Sequence, residues 1–154
     1  MDVSVIKSLH AAYKKGITKS DNHGWIPLHL ACYHKSSLEV INFLLETYPK
    51  GAGSLNEFKC LPIHLACEAG AEADVLKALC QTFPDGLYKK NMWNNLPIHR
   101  AVHQNMSAEG IQVLKDACPN SLSLVNGDGD TPIDIARKVE GLKNREEIIR
   151  VLSS

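Results

Sequence analysis

All seven prolines of this chain fall on two interleaved ladders with one step. Pro27, Pro62, Pro97 and Pro132 form the first and Pro49, Pro84 and Pro119 the second, each rung 35 residues beyond the last. A fixed period of this length means stacked copies of one supersecondary unit, none of which buries its apolar face alone, so the chain is a solenoid before it is anything else.

Setting the first ladder in register aligns WIPLHLAC at 25–32, CLPIHLAC at 60–67, NLPIHRAV at 95–102 and DTPIDIAR at 130–137. Asp21, Asn56, Asn91 and Asn126 stand six residues before each proline. Short side chains of this kind bond their own backbone and open a turn. Proline then suits the first position of a helix, where its missing N–H has no partner to lose. This predicts a short helix A in each unit, in the first from about Pro27 to His34. Ala31, Ala66, Ala101 and Ala136 keep one small residue at a fixed place, which permits close helix contact.

A second amphipathic segment follows at 38–48, 73–83 and 108–118, where Ile41 with Leu44, Leu76 with Leu79 and Ile111 with Leu114 mark a buried stripe at i, i+3. Each of these B helices stops before a proline of the second ladder, which acts as punctuation. Gly51 and Gly86, with Ser121 in the third copy, are expected to help the chain turn back. Subtracting the period from Ile41, Leu44 and Tyr48 lands on Ile6, Leu9 and Tyr13, so residues 2–15 read as a lone B helix capping the stack. At the other end REEIIRVL at 145–152 has the same character, offset by about two residues.

These residues resemble the ankyrin repeat, whose pattern is close to DxxGxTPLHxAxxxG followed by a second apolar helix. DNHGWIPLHLAC at 21–32 and NGDGDTPIDIA at 126–136 carry the opening most clearly, and four copies keep register along the chain. The resemblance implies an all-α solenoid of stacked antiparallel helix pairs with hairpin-like loops. It would form a single domain over 1–154, with a cap at 2–15 and repeats at about 21–55, 56–90, 91–125 and 126–154. The family period is 33, so the extra two residues are assigned to the turn between helices A and B and to the connection holding the second proline. Thr131 is the only threonine of the TPLH motif; Ile26, Leu61 and Leu96 replace it elsewhere, and Asp134 replaces the last histidine. The hydroxyl partner expected for His29, His64 and His99 is therefore missing.

Composition narrows the chemistry. Seventeen Lys plus Arg balance seventeen Asp plus Glu, with no basic run beyond pairs such as Lys14-Lys15 and Lys89-Lys90, which argues against nucleic acid as a partner. The first residues do not read as a secretory signal, and no apolar stretch is long enough to cross a bilayer. Five cysteines, an odd number without a CxxC pair, fit a reducing compartment, cytoplasmic or nuclear. A monomer without cofactor or metal is expected.

Catalytic and metal patterns are weak. His29, His64 and His99 repeat one position and would lie roughly 10 Å apart, the spacing of packed helices, too far to share an ion. Cys32 and Cys67 take a position that is alanine in the family pattern and read as small buried thiols. A nucleophile at Cys60 with His64 as base and Glu57 nearby would need a lowered thiol pKa and an oxyanion site, neither of which the sequence provides. NGDGD at 126–130 starts like a calcium loop, but Arg137 stands where the bidentate acid belongs. GAGS at 51–54 lacks the GK[ST] of a phosphate loop.

By resemblance, ankyrin stacks bind other proteins through hairpin tips and the exposed face of helix A. The variable tip positions are Asn22, His23 and Trp25; Glu57, Phe58 and Cys60; Met92, Trp93 and Asn95; and Gly127, Asp128 and Asp130. A row from His23 and Trp25 through Phe58 to Met92 and Trp93 would form an apolar recognition patch, with Tyr33, Glu68 and His103 on helix A as further candidates. The same rings could instead pack on one another or on the adjacent hairpin. The expected function is non-enzymatic protein binding. The alternatives are a structural self-assembly unit, or the substrate-recruiting part of a larger enzyme or signalling protein.

Overall fold

A computed structural model of the 154-residue chain describes residues 3–12 and 16–154. The helices are α1 (Val3–Ala12), α2 (Pro27–Tyr33), α3 (Leu38–Thr47), α4 (Pro62–Ala69), α5 (Ala73–Thr82), α6 (Pro97–His103), α7 (Ala108–Ala117), α8 (Pro132–Lys138) and α9 (Arg145–Ser153). No strand occurs among the described residues, and none of their helices is long and apolar enough to cross a membrane. Two layers result: α2, α4, α6 and α8 pack in succession as the A layer, and α1, α3, α5, α7 and α9 as the B layer. Residues 2 and 13–15 of the expected cap, with the side chains of Ile6 and Leu9 on which that reading rests, lie outside the described residues. Where α1 is described it packs on α3, with the Lys7 ammonium 5.8 Å from the centre of the Phe43 ring.

Between the layers runs one apolar core. Ile41, Leu76 and Ile111 are fully buried at one repeat position, and Ile148 continues the line after the two-residue offset. Ala66, Ala101 and Ala136 are likewise completely enclosed between A helices, where a larger side chain would push the layers apart.

Both proline ladders work as expected, and the second also does more. Pro27, Pro62, Pro97 and Pro132 each open an A helix. The B helices end one residue earlier than the apolar pattern suggests, because the residue before a proline is driven out of the helical region. Tyr48, Phe83 and Cys118 accordingly have φ of −142°, −142° and −150°. Helix α2 also stops one residue short of His34. The second-ladder prolines then start 3-10 helices of their own at Pro49–Gly53, Pro84–Tyr88 and Pro119–Ser123.

Gly51 and Gly86 do not supply unusual dihedrals there; they supply room. A Cβ on Gly51 would lie 2.9 Å from Tyr48 Cδ1, and one on Gly86 2.8 Å from Phe83 Cδ1. In the third unit the aromatic is replaced by the smaller Cys118, and Ser121 fits, buried, its hydroxyl donating to the Cys118 carbonyl at 2.6 Å.

The histidines without a threonine partner bond to backbone instead. Nδ1 of His29, His64 and His99 accepts the amide N–H of Ile26, Leu61 and Leu96 at 3.2, 3.1 and 3.1 Å, which satisfies a donor left free at the helix start. Accepting at Nδ1 places the proton on Nε2. His29 Nε2 then faces the carbonyls of Ser54 and Cys60, both at 3.1 Å, and His64 Nε2 those of Lys89 at 3.0 Å and Asn95 at 3.2 Å. His99 Nε2 reaches the Leu124 carbonyl at 2.9 Å. Each imidazole thus caps its own helix; His29 and His64 also tie it to a carbonyl of the next unit, and His99 to the connection that closes its own. In the fourth unit Thr131 and Asp134 form a reciprocal cap, the Asp134 carboxylate accepting the Thr131 amide at 3.1 Å.

Candidate functional site

The tips are built from the turn residues upward. Asp21 Oδ1 accepts the amides of His23 and Trp25, Asn56 Oδ1 those of Phe58 and Cys60, Asn91 Oδ1 those of Trp93 and Asn95, and Asn126 Oδ1 those of Asp128 and Asp130. Two backbone donors are thereby held by one side chain in every unit. The turn passes through the left-handed region at Gly24, Lys59, Asn94 and Gly129, so two copies accept a non-glycine residue at positive φ. Successive tips are joined by backbone: the Glu57 amide donates to His23 O at 2.9 Å and the Met92 amide to Phe58 O at 3.0 Å. Gly127 approaches still closer, for a Cβ on it would lie 2.7 Å from Trp93 O.

This backbone fixes two columns of side chains along the stack. His23, Phe58, Trp93 and Asp128 occupy one repeat position; Trp25, Cys60, Asn95 and Asp130 occupy the one two residues on. The first column is exposed, and the rings of Phe58 and Trp93 stack at 5.8 Å between centres and 19° between planes. Even so Trp93 remains 51% exposed and Phe58 36%, while Met92 beside them is 52% exposed. The rings thus pack on each other and still face outward.

The second column turns inward. Trp25 is half-buried against the core and edge-on to Tyr33, with centres 5.6 Å apart and planes at 89°. Cys60, counted among the variable tips from sequence, is buried and receives the Asn91 amide N–H at 3.7 Å on its sulfur. Burial pushes its thiol pKa up, away from thiolate chemistry. His64, the candidate base, is already committed at both nitrogens. Among the described residues no three potential ligands gather around a metal position.

His23 lies at the open end of the first column, its Nδ1 3.0 Å from Glu57 Oε2, and this hydrogen bond raises the imidazole pKa. Farther along, Met92, Trp93, Glu68, His103 and Asp128 border a groove of about 610 Å³ between the third and fourth tips and helix A. Neither Trp25 nor Tyr33 reaches it. The candidates from sequence thus form two groups, one around Trp25 and Tyr33 and the other around Phe58 and Trp93.

Arg100 in the groove wall was not anticipated. Its guanidinium meets Glu68 Oε1 at 2.8 Å, and its Nε is buried without a partner. The signal was available, since Arg100 stands in the register of Leu30, Leu65 and Ile135. A charged residue at an apolar helix position needs a partner, and Glu68, one unit back, provides it.

Residues 23–53 match the family model of the ankyrin repeat. No curated protein matches the chain. The matched stretch begins in the first tip, runs through α2 and α3, and ends with the following 3-10 helix, and the same succession recurs at Pro62 and at Pro97. Residues 23–53 are thus similar to an ankyrin repeat, and the all-helical solenoid around them is consistent with an ankyrin repeat protein; such repeats generally serve protein–protein interaction and are typically non-enzymatic.

Proposed function

We propose that the chain, as one domain over residues 1–154, is a non-enzymatic binding module that recognises another protein through its tips and the concave face of the A helices. His23, Trp25, Phe58, Met92 and Trp93 make the tip contacts; Tyr33, Glu68 and His103 flank them on helix A. The supporting observation is the stacked and outward-facing Phe58–Trp93 pair with Met92 beside it. Large apolar side chains that the core does not need, set on a rigid backbone row, are what a protein interface uses as anchors.

Replacing both Phe58 and Trp93 by alanine tests this reading. Affinity capture and mass spectrometry with the unaltered chain should identify a partner that the double variant fails to retain, while the melting temperature stays nearly unchanged. A large drop in melting temperature would make the rings part of the core instead. Mass that rises with concentration and falls in the double variant would favour self-assembly.

A further inference from the structure

The exposed column ends in a change of chemistry. His23, Phe58 and Trp93 are followed at the same position of the next tip by Asp128. Phe58 stacks on Trp93 from the side of the second unit, and Asp128 borders the groove with Trp93 from the side of the fourth. The close passage of Gly127 against Trp93 O fixes these two tips relative to each other.

Charge in the groove is unbalanced. Arg100 is engaged by Glu68 across 2.8 Å, so that pair contributes no net charge. Lys138 is held by Asp130, and Asp128 acts on it only as the weakest of its acidic neighbours. His103 borders the same groove and takes part in no ion pair. The Asp128 side chain makes neither a hydrogen bond nor an ion pair with another described residue; only its backbone amide is engaged, by Asn126. An indole beside an unpaired carboxylate complements a cation, and a planar one best. A guanidinium lies flat on an indole and offers paired N–H groups to a carboxylate, which an ammonium cannot do.

We propose that the groove between Trp93 and Asp128 receives an arginine side chain of the partner protein, with Met92 and Phe58 covering an apolar residue next to it. This rests on the tips being the binding face. Arginine then supplies the specificity that the apolar patch alone would lack.

The test uses the full chain and a short blocked peptide, acetyl-Gly-Leu-Arg-Leu-Gly-amide, titrated by heteronuclear NMR with amide shifts of the third and fourth tips as the readout. Saturable shifts are expected there, with affinity lowered about threefold to tenfold when arginine is replaced by citrulline, its neutral isostere, or when the chain carries Asp128→Asn. Combining citrulline with Asp128→Asn should cost less than the sum of the two, because both remove the guanidinium–carboxylate contact and only citrulline also weakens the stack on the indole. Absence of saturable shifts, or equal affinity for the citrulline peptide, overturns the proposal. With the captured partner, retention by Asp128→Asn but loss by the Phe58 and Trp93 double variant would refute the arginine site and leave the binding face standing. Retention by both would refute the face itself.

Discussion

Acid should loosen this stack through its histidines before it touches the carboxylates. Burial drives the pKa of His64 from the ordinary 6.5 down to about 4, overcoming the opposite pull of the Asn95 and Lys89 carbonyls. His29 and His99 shift in the same direction, again mainly by desolvation. The geometry adds a second reason. Nδ1 accepts the Leu61 amide, and a proton placed there would set two N–H groups against each other.

Between pH 6.5 and 4 the unfolded chain binds a proton at His64 and the folded chain does not, so stability is full above 6.5 and falls as the pH drops through this window. His64 alone accounts for about 2 kcal/mol of loss at pH 5 and about 3 kcal/mol once pH 4 is passed. Asp21 and Asp134 have pKa values lowered from 3.8, so their contributions are lost only below this window. His23, raised by Glu57, works in the opposite sense but is exposed to solvent.

Urea unfolding at constant ionic strength, compared at pH 7 and pH 5, should show the loss, and His64→Gln should flatten the dependence while being less stable at pH 7. Nitrogen-detected NMR should find the His64 ring neutral at pH 5, with its proton on Nε2. A His64 ring that titrates near 6.5 in the folded chain, or a pH dependence unchanged in a folded His64→Gln variant, would refute the argument.

Two further outcomes follow from packing. Leu44→Ala should lower unfolding free energy by about 2–5 kcal/mol in urea titrations, since Leu44 is buried in the stripe that faces the A layer. Gly86→Ala should cost about 1–3 kcal/mol, because the new methyl meets Phe83 Cδ1 at 2.8 Å. Adding Phe83→Cys, which copies the Cys118 and Ser121 arrangement, should reduce the penalty specific to Gly86→Ala; a strictly additive double variant would show that the ring is not the obstacle.

The sequence made the architecture legible because proline constrains backbone directly. Pro27 and its equivalents place the starts of the A helices, Pro49 and its equivalents the ends of the B helices, and Ile41, Leu76 and Ile111 mark the core by their common register. The histidine bonds were not legible, since their acceptors are carbonyls 25 and 31 residues away and a carbonyl belongs to every residue alike. The reason for Gly51 and Gly86 was hidden in a related way: their small size answers a neighbouring ring, and only the placement of Tyr48 and Phe83 reveals it.

At the tips, register was stronger evidence than residue type. Trp25 and Trp93 look interchangeable as exposed tryptophans, but Trp25 shares a position with buried Cys60, whereas Trp93 shares one with Phe58 and Asp128. Two residues of offset decide whether an indole leans back on Tyr33 or stands beside a carboxylate. In a stack whose backbone is repeated by hydrogen bonds from tip to tip, a side chain's neighbours are its equivalents one period away. The chemistry of a surface is therefore read down a column, and the column through Phe58 and Trp93 leads to an unpaired acid.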